Sequence, residues 1–290
     1  MNVDGDNMEY IKINNKTKKK LQEVQLEILE EVVRICEKHN IQYFLMAGTL
    51  LGAVRHKGFI PWDDDLDIGM TRLDYNKFNK VASKELNSRY YLHNHKTDPE
   101  YWCPFTKVRK NNTEMNEKIL VDVNTHKGIY IDIFPFDNAD SRNGFFVKIQ
   151  GKMSLVITYI IWCKLKGEKV SLFSRKFIKA LLMLIPNNIL IKIQNWVVSL
   201  NKNDNSKYLI SFSGVYGYEK ESFTRNKLFP LKKVEFEKKL YYGFHDNSYY
   251  LTRMYDDYMR LPPVEERTNH MALNISFSKG VNKKNKDILL

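Results

Sequence analysis

Four carboxylates, Asp63, Asp64, Asp65 and Asp67, fall within five positions of an otherwise apolar stretch, IPWDDDLDIGM. Aspartates in such surroundings are rarely buried unless they are paired or hold a cation. If residues 66–70 form a strand, side chains alternate between its faces, so Asp63, Asp65 and Asp67 project to one side and Leu66 and Ile68 to the other. Carboxylates that close repel unless a positive charge sits between them. Hard oxygen ligands with no cysteine nearby predict Mg²⁺ or Mn²⁺ rather than zinc. Asp64 is read as capping or orienting the loop.

An isolated DxD is a weak signal, and a solvated acidic loop is its ordinary explanation. The residues before it strengthen the chemical reading. The apolar run IQYFLMA (41–47) reads as a strand, Gly48-Thr49 as a turn, and Leu50, Leu51, Ala53 and Val54 as the start of a helix. Backbone N–H groups at such a helix start point at an anion, so Gly48 and Thr49 are expected to hold phosphate, with glycine letting the backbone approach closely. Arg55, His56 and Lys57 follow, and Arg or Lys there would neutralise a pyrophosphate. For His56 a hydrogen-bonded loop or core role is an equal alternative. A phosphate cradle followed by a metal-binding DxD belongs to phosphoryl or nucleotidyl transfer.

Four blocks, YFLMAGTLLGAVRHKGFIPWDDDLDIGMTRLDY (43–75), FTKVRKNNT (105–113), GIYIDIFPFD (128–137) and YDDYMRLPPVEERTNH (255–270), together resemble the LicD family. Its members include bacterial phosphocholine transferases and eukaryotic fukutin-related ribitol-phosphate transferases. The resemblance implies an α+β chain with a nucleotidyltransferase-like mixed sheet flanked by helices. It maps the Gly-Ser/Thr turn onto Gly48-Thr49, the DxD onto Asp65 and Asp67, and a third acid onto Asp132. Asp65 and Asp67 are then metal ligands and Asp132 a third ligand or the base for the acceptor hydroxyl, with Asp63 a further ligand. The donor implied is a CDP-alcohol, foremost CDP-choline, whose alcohol phosphate passes to a glycan, lipopolysaccharide or teichoic acid precursor while CMP leaves. A ribitol- or glycerol-phosphate transferase and a true nucleotidyltransferase are the alternatives.

Lys107 and Arg109 share one face of a strand and are secondary phosphate candidates. A trimethylammonium group would call for aromatic faces, and Trp62, Tyr101, Trp102, Tyr130 and Phe136 are candidates, each with core packing as its ordinary alternative. Tyr255, Arg267 and His270 belong to the last block and are assigned to the wall of the acceptor pocket.

These residues need elements to position them. Leu21, Val24, Ile28, Val32, Ile35 and Cys36 fall at helical spacing, ending near His39-Asn40. Thr71 or Asp74 caps a helix running to Leu86. Strand-like pieces follow at 90–93 and 102–110. IYIDIF (129–134) alternates, with Pro135 expected to stop it; beside the 66–70 strand, it would bring Asp132 to the acids. Helices are predicted at 145–166, 172–185 and 188–200, then a hairpin over 234–242 and a helix near 248–257. This gives a catalytic core at 17–140, a helical insert at 141–225, a return to the core at 226–275, and tails at 1–16 and 280–290.

The 290 residues carry a net charge of +12, with 43% hydrophobic residues, which excludes global disorder. Between 141 and 202 there are eleven basic residues and one acid, Glu168. The same segment holds the runs MSLVITYIIWC and ALLMLIPNNILIKI, neither long enough, uninterrupted, to span a bilayer. Three readings stand: a basic, helix-rich insert lying on an anionic membrane, an ordinary helical subdomain or dimer contact, and a nucleic-acid surface. The last is disfavoured because the segment is too apolar to read bases. Three scattered cysteines form no disulfide or zinc framework. With no hydrophobic leader in MNVDGDNMEY, the expected setting is cytoplasmic, peripheral on the inner face of the membrane.

Overall fold

The computed structural model describes residues 13–117, 123–166, 183–267 and 272–278. Helix α1 (Asn15–Lys38) starts where the Asn14 side chain accepts the Thr17 N–H and ends at His39. Its stripe of Leu21, Val24, Ile28, Val32, Ile35 and Cys36 is buried, as the spacing predicts. The predicted 41–47 strand is only two residues long, β1 (Phe44–Leu45). The chain turns at Ala47, where φ is +46°, straight into α2 (Ala47–His56), so Gly48 and Thr49 lie in the first helical turn rather than in a loop before it.

Strand β2 (Asp67–Thr71) leads into α3 (Arg72–Glu85), capped by Thr71, which accepts the Asp74 N–H. Then come β3 (Tyr90–His93), β4 (Thr106–Lys110), β5 (Glu114–Glu117) and β6 (Tyr130–Ala139). The main sheet runs β1-β2-β6-β4-β3, with β2 and β6 parallel and the other neighbours antiparallel. The expected stop at Pro135 does not occur. Asp132 donates its N–H toward β2, so alternation aims the nitrogen of Pro135 at the β4 side, where pairing has already ended at Thr106–Ile133. Proline therefore costs the ladder nothing there.

The insert begins with α4 (Phe145–Lys166), packed on α5 (Asn187–Val198). The helix expected over 172–185 falls largely outside the described residues, as do residues 1–12 and 280–290 of the expected tails. One expectation changes. Lys148 and Lys152 interrupt the apolar run but not the helix, so Phe145–Leu165 is long and apolar enough to cross a membrane. The insert is also shorter than 141–225, because β7 (Tyr208–Ile210) and β8 (Ser222–Thr224) extend the main sheet through pairing of β7 with residues 137–139 of β6.

A short turn, α6 (Arg225–Leu228), leads to the hairpin β9 (Lys232–Phe236) and β10 (Lys239–Gly243), then α7 (Asn247–Tyr255) and β11 (Ala272–Ser276), which pairs with β5. Helices α1 and α3 cover one face of the sheet. The principal core joins these helices to β9, β10 and α7, while α4 and α5 share a smaller core of Ile157, Ile160, Ile161, Leu190 and Ile191.

Candidate active site

Register aligns the chemistry. Asp67 on β2 pairs with Asp132 on β6, Asp132 with Lys107 on β4, and Lys107 with His93 on β3. Residues directly opposite across strands point to the same face. Asp67, Asp132, Lys107 and His93 thus form a row across four strands, on the face that α1 and α3 leave uncovered. The neighbouring row holds Tyr130, Arg109 and Tyr91.

The acids before β2 are fixed from α1. Gln25, a buried polar residue on the apolar stripe, donates to the Asp64 carbonyl at 2.8 Å, and Gln22 to that of Asp63 at 3.1 Å. Asp64 is buried, while Asp63 and Asp65 converge on the start of α2. A methyl group at Gly48 would lie 2.6 Å from Asp63 Oδ2 and 3.9 Å from Asp65 Oδ1. A side chain at Gly48 would have to displace the Asp63 carboxylate from the helix start. Thr49 is buried, and its Oγ1 accepts the Asp67 N–H at 2.8 Å, so its hydroxyl ties α2 to β2. From α7, the Tyr250 hydroxyl accepts the Ala47 N–H at 3.1 Å. The helix start meets carboxylates, which its dipole favours, so phosphate can join them there only with a cation between.

Asp132 is held by Lys107, whose ammonium lies 2.7 Å and 3.0 Å from its two carboxylate oxygens. Burial pushes the Asp132 carboxyl above its usual range, with the Lys107 charge pulling the other way. Among the described residues no three acid, histidine or cysteine side chains form an assembled metal cage. The donor set still suits a hard divalent cation: carboxylate oxygens of Asp63 and Asp65 converge over Gly48, with Asp67 next along the chain and no sulfur ligand in the set.

Lys107 also stands 3.5 Å over the Tyr130 ring, and Arg109 4.6 Å from it, so that ring is occupied by the protein's own cations. Tyr130 donates to Glu117 at 2.6 Å. Arg109 is fully buried, donating to His93 Nδ1 at 2.7 Å and to the Gly128 carbonyl. That bond makes Nδ1 an acceptor, so Nε2 carries the proton that reaches Asp98. Burial pushes the His93 imidazole down to about 4. Arg109 is thus part of the scaffold under the row.

A cavity of about 740 Å³ opens above the row. Its walls include Tyr101, Trp102, Asp132 and Glu117 from the core, Tyr159 and Trp162 from α4, and Phe212–Val215. The loop at 212–216 is held from beneath by Glu221, which accepts the Tyr216 N–H at 3.0 Å and leaves no room for a Cβ at Gly214. Burial pushes the Glu221 carboxyl up to about 7. Tyr216 feels the charges of Asp63 and Asp65. Sequence reading missed Gln25, His93, Tyr159, Trp162, Tyr216, Glu221 and Tyr250. Only Gln25, polar on an apolar stripe, carried a local signal.

Arg55, His56 and Lys57 sit elsewhere, at the C-terminal end of α2, with Lys57 its left-handed cap. Arg55 donates to the carbonyl of Tyr258 at 2.8 Å and to His56 Nε2 at 2.9 Å. Burial and the Arg55 charge push the His56 imidazole down. With Trp62 and Tyr255, Arg55 lines a second cavity of about 490 Å³. Phe136 is buried in the core against Phe44 and Phe223, which removes it from the cage candidates. His270 lies outside the described residues.

Residues 40–157 match the LicD/FKTN/FKRP nucleotidyltransferase domain, which includes Asp65, Asp67, Lys107 and Asp132. Lipopolysaccharide cholinephosphotransferase LicD of Haemophilus influenzae is 26% identical over 266 residues, covering 88% of this chain and 96% of that protein. Ribitol 5-phosphate transferase FKRP of human is 39% identical over 57 residues, 20% of this chain and 12% of that one. With these likenesses added to the acid row on a mixed sheet, residues 40–157 form a nucleotidyltransferase domain of the LicD family's kind.

Proposed function

We infer that the chain transfers an alcohol phosphate, foremost phosphocholine, from a CDP-alcohol to a hydroxyl of a cell-surface glycan precursor in the cytoplasm. The observation that carries this reading is the cavity over Asp132. It is walled by Trp102, Trp162 and Phe212, with the carboxylates of Glu117 and Asp132 at its base. Aromatic faces with nearby acids suit a trimethylammonium group, worth about 0.5–2 kcal/mol per well-placed ring.

The acceptor oxygen attacks the phosphorus that bears the alcohol, the bond from that phosphorus to the bridging oxygen breaks, and CMP leaves. Asp132 takes the hydroxyl proton, and Lys107 holds the carboxylate in position to receive it. Mg²⁺ or Mn²⁺, held by Asp63, Asp65 and Asp67, would supply positive charge for the pyrophosphate when bound. Thr49 keeps Asp67 in place through its backbone. Tyr101 and Trp102 shape the alcohol end of the cavity, and Tyr255 lines the cavity at the end of α2, its hydroxyl pushed up by burial with the Asp67 charge adding to it.

A polyol-phosphate donor is the second reading, favoured by the likeness to the ribitol 5-phosphate transferase. Incubation with CDP-choline, CDP-ribitol or CDP-glycerol, Mg²⁺ and glycan acceptors separates the cases. Acceptor-dependent CMP release from CDP-choline supports the first reading, and from a CDP-polyol the second. Release of phosphocholine would mean transfer of the nucleotide itself. Turnover undiminished by EDTA would remove the metal from the reaction.

A further inference from the structure

Helices α4 and α5 carry apolar side chains outward as well as inward. Phe145 and Phe146 are 73% and 78% exposed, and Trp196 on α5 is 65% exposed. They are not scattered. Phe146, Ile149 and Met153 from α4 meet Trp196 and Leu200 around one shallow cavity of about 480 Å³. Contiguous exposed apolar patches of this kind mark interaction surfaces. On the helical wheel Lys148 and Lys152 border one edge of the outward arc of Phe145, Ile149 and Met153, and all of these are exposed. Lys192 and Lys202 are exposed beside Trp196 and Leu200. The one acid lining this cavity, Asp140, is engaged by Asn201 and Ser206.

We propose that this α4–α5 face docks on an anionic lipid bilayer surface. Aromatic side chains with lysines alongside suit the interface between headgroups and acyl chains. A second copy suits it less well, since a two-fold contact through this face would oppose its own lysines. Crossing the bilayer is also disfavoured, although α4 is long enough. Its middle carries Gln150, Ser154 and Thr158, bonded to the Val197 carbonyl and to Gln194 of α5, and α5, at 12 residues, is too short to accompany it across. Further along α4, beyond the lysine edge, Tyr159 and Trp162 line the cavity over Asp132, so docking would hold that cavity close to the membrane. The proposal rests on exposure and charge, independently of the reaction assigned above.

Sedimentation of the full chain with vesicles tests it. Wild type is expected to pellet with phosphatidylcholine–phosphatidylglycerol vesicles and to be released by salt, as partly exposed charge pairs are. Binding to phosphatidylcholine alone should be much weaker. Lys148→Gln with Lys152→Gln should lower partitioning by about tenfold or more, and Phe145→Ser with Trp196→Ser should lower it similarly, with the circular dichroism spectrum kept. The proposal is overturned if wild type stays in the supernatant, or if both double variants bind as wild type does. It is equally overturned if the chain is a dimer that these substitutions dissociate, which would give the face to a second copy.

Discussion

The cavity at the C-terminal end of α2 and the cavity over Asp132 hold similar aromatic residues and opposite electrostatics. At the C-terminal end of the helix, the Trp62 ring is approached by Arg267 at 4.6 Å and Arg55 at 5.9 Å, and burial together with Arg267 pushes the Arg55 guanidinium down from its usual range. In the cavity over Asp132, Trp102 and Trp162 have no such cation over them among the described residues, and carboxylates lie at the base. An aromatic ring can receive a ligand's cation only when the protein has not already supplied one. That rule removes Trp62 and Tyr130 from the cage and leaves Trp102, joined by Trp162. The cavity at the end of α2, rich in guanidinium, suits the anionic part shared by all CDP-alcohols. The cavity over Asp132 suits the part that differs between them.

The sharpest break in this comparison comes from the acids. Asp67→Asn or Asp65→Asn should lower acceptor-dependent CMP release by about 10³-fold, leaving the melting temperature equal or slightly higher because carboxylate repulsion is relieved. Wild-type turnover in either variant would move the reaction away from the Asp132 cavity altogether.

Next in size is the ion pair at the cavity base. Both partners are largely buried, so Lys107→Met strands the Asp132 carboxylate and should cost about 3–5 kcal/mol in urea unfolding. Adding Asp132→Asn should restore most of that stability and none of the activity. If Lys107→Met alone unfolds as wild type does, the pair is not holding Asp132.

Glu221 sharpens the comparison through pH. Its ordinary value is 4.5 and burial raises it to about 7, so the unfolded chain loses this proton first. Its contribution is full below about 4.5 and falls as pH rises to about 7, a loss of roughly 3 kcal/mol at most. Glu221→Gln retains an acceptor for the Tyr216 N–H and removes the titration. It should flatten this limb of the stability profile and raise the melting temperature above pH 7. An unchanged profile would mean that the loop roofing the cavity is not set by this carboxyl.

The helices α1, α3 and α4, strand β3 and the hairpin were legible because their apolar spacing and caps are local properties. The alternation of 129–134 and the DxD likewise led to the pairing of Asp67 with Asp132, since register follows from which faces are buried. What escaped was of two kinds. Pro135 reads as a stop only if β4 is assumed to continue beside it. The cavity walls come from segments far from the acids in sequence, Tyr159 and Trp162 on the insert and Phe212–Val215 beyond it, while Glu221 supports that loop and Tyr250 reaches the start of α2. Each looks locally like ordinary core or loop. The Lys107–Asp132 bond was hidden for the same reason: a lysine two residues from an arginine on a strand reads as a phosphate site until the opposing strand is known to carry an acid.

The smallest predicted effect tests the comparison most directly. Trp102→Ala removes an open ring from the cavity over Asp132, and loss of one cation–π contact of about 0.5–2 kcal/mol should raise KM for CDP-choline roughly 2- to 30-fold. KM for CDP-ribitol should hardly change, because a polyol gains nothing from a ring face in this way. Trp62→Ala should instead affect both donors equally, since its neighbours Arg55 and Arg267 would meet a portion common to both. The quantity to compare is the ratio of kcat/KM values for the two donors in each variant. A ratio shifted by Trp62→Ala and left alone by Trp102→Ala would exchange the assignments, placing the alcohol at the arginine end of α2 and leaving the cavity over Asp132 to the nucleotide or the acceptor.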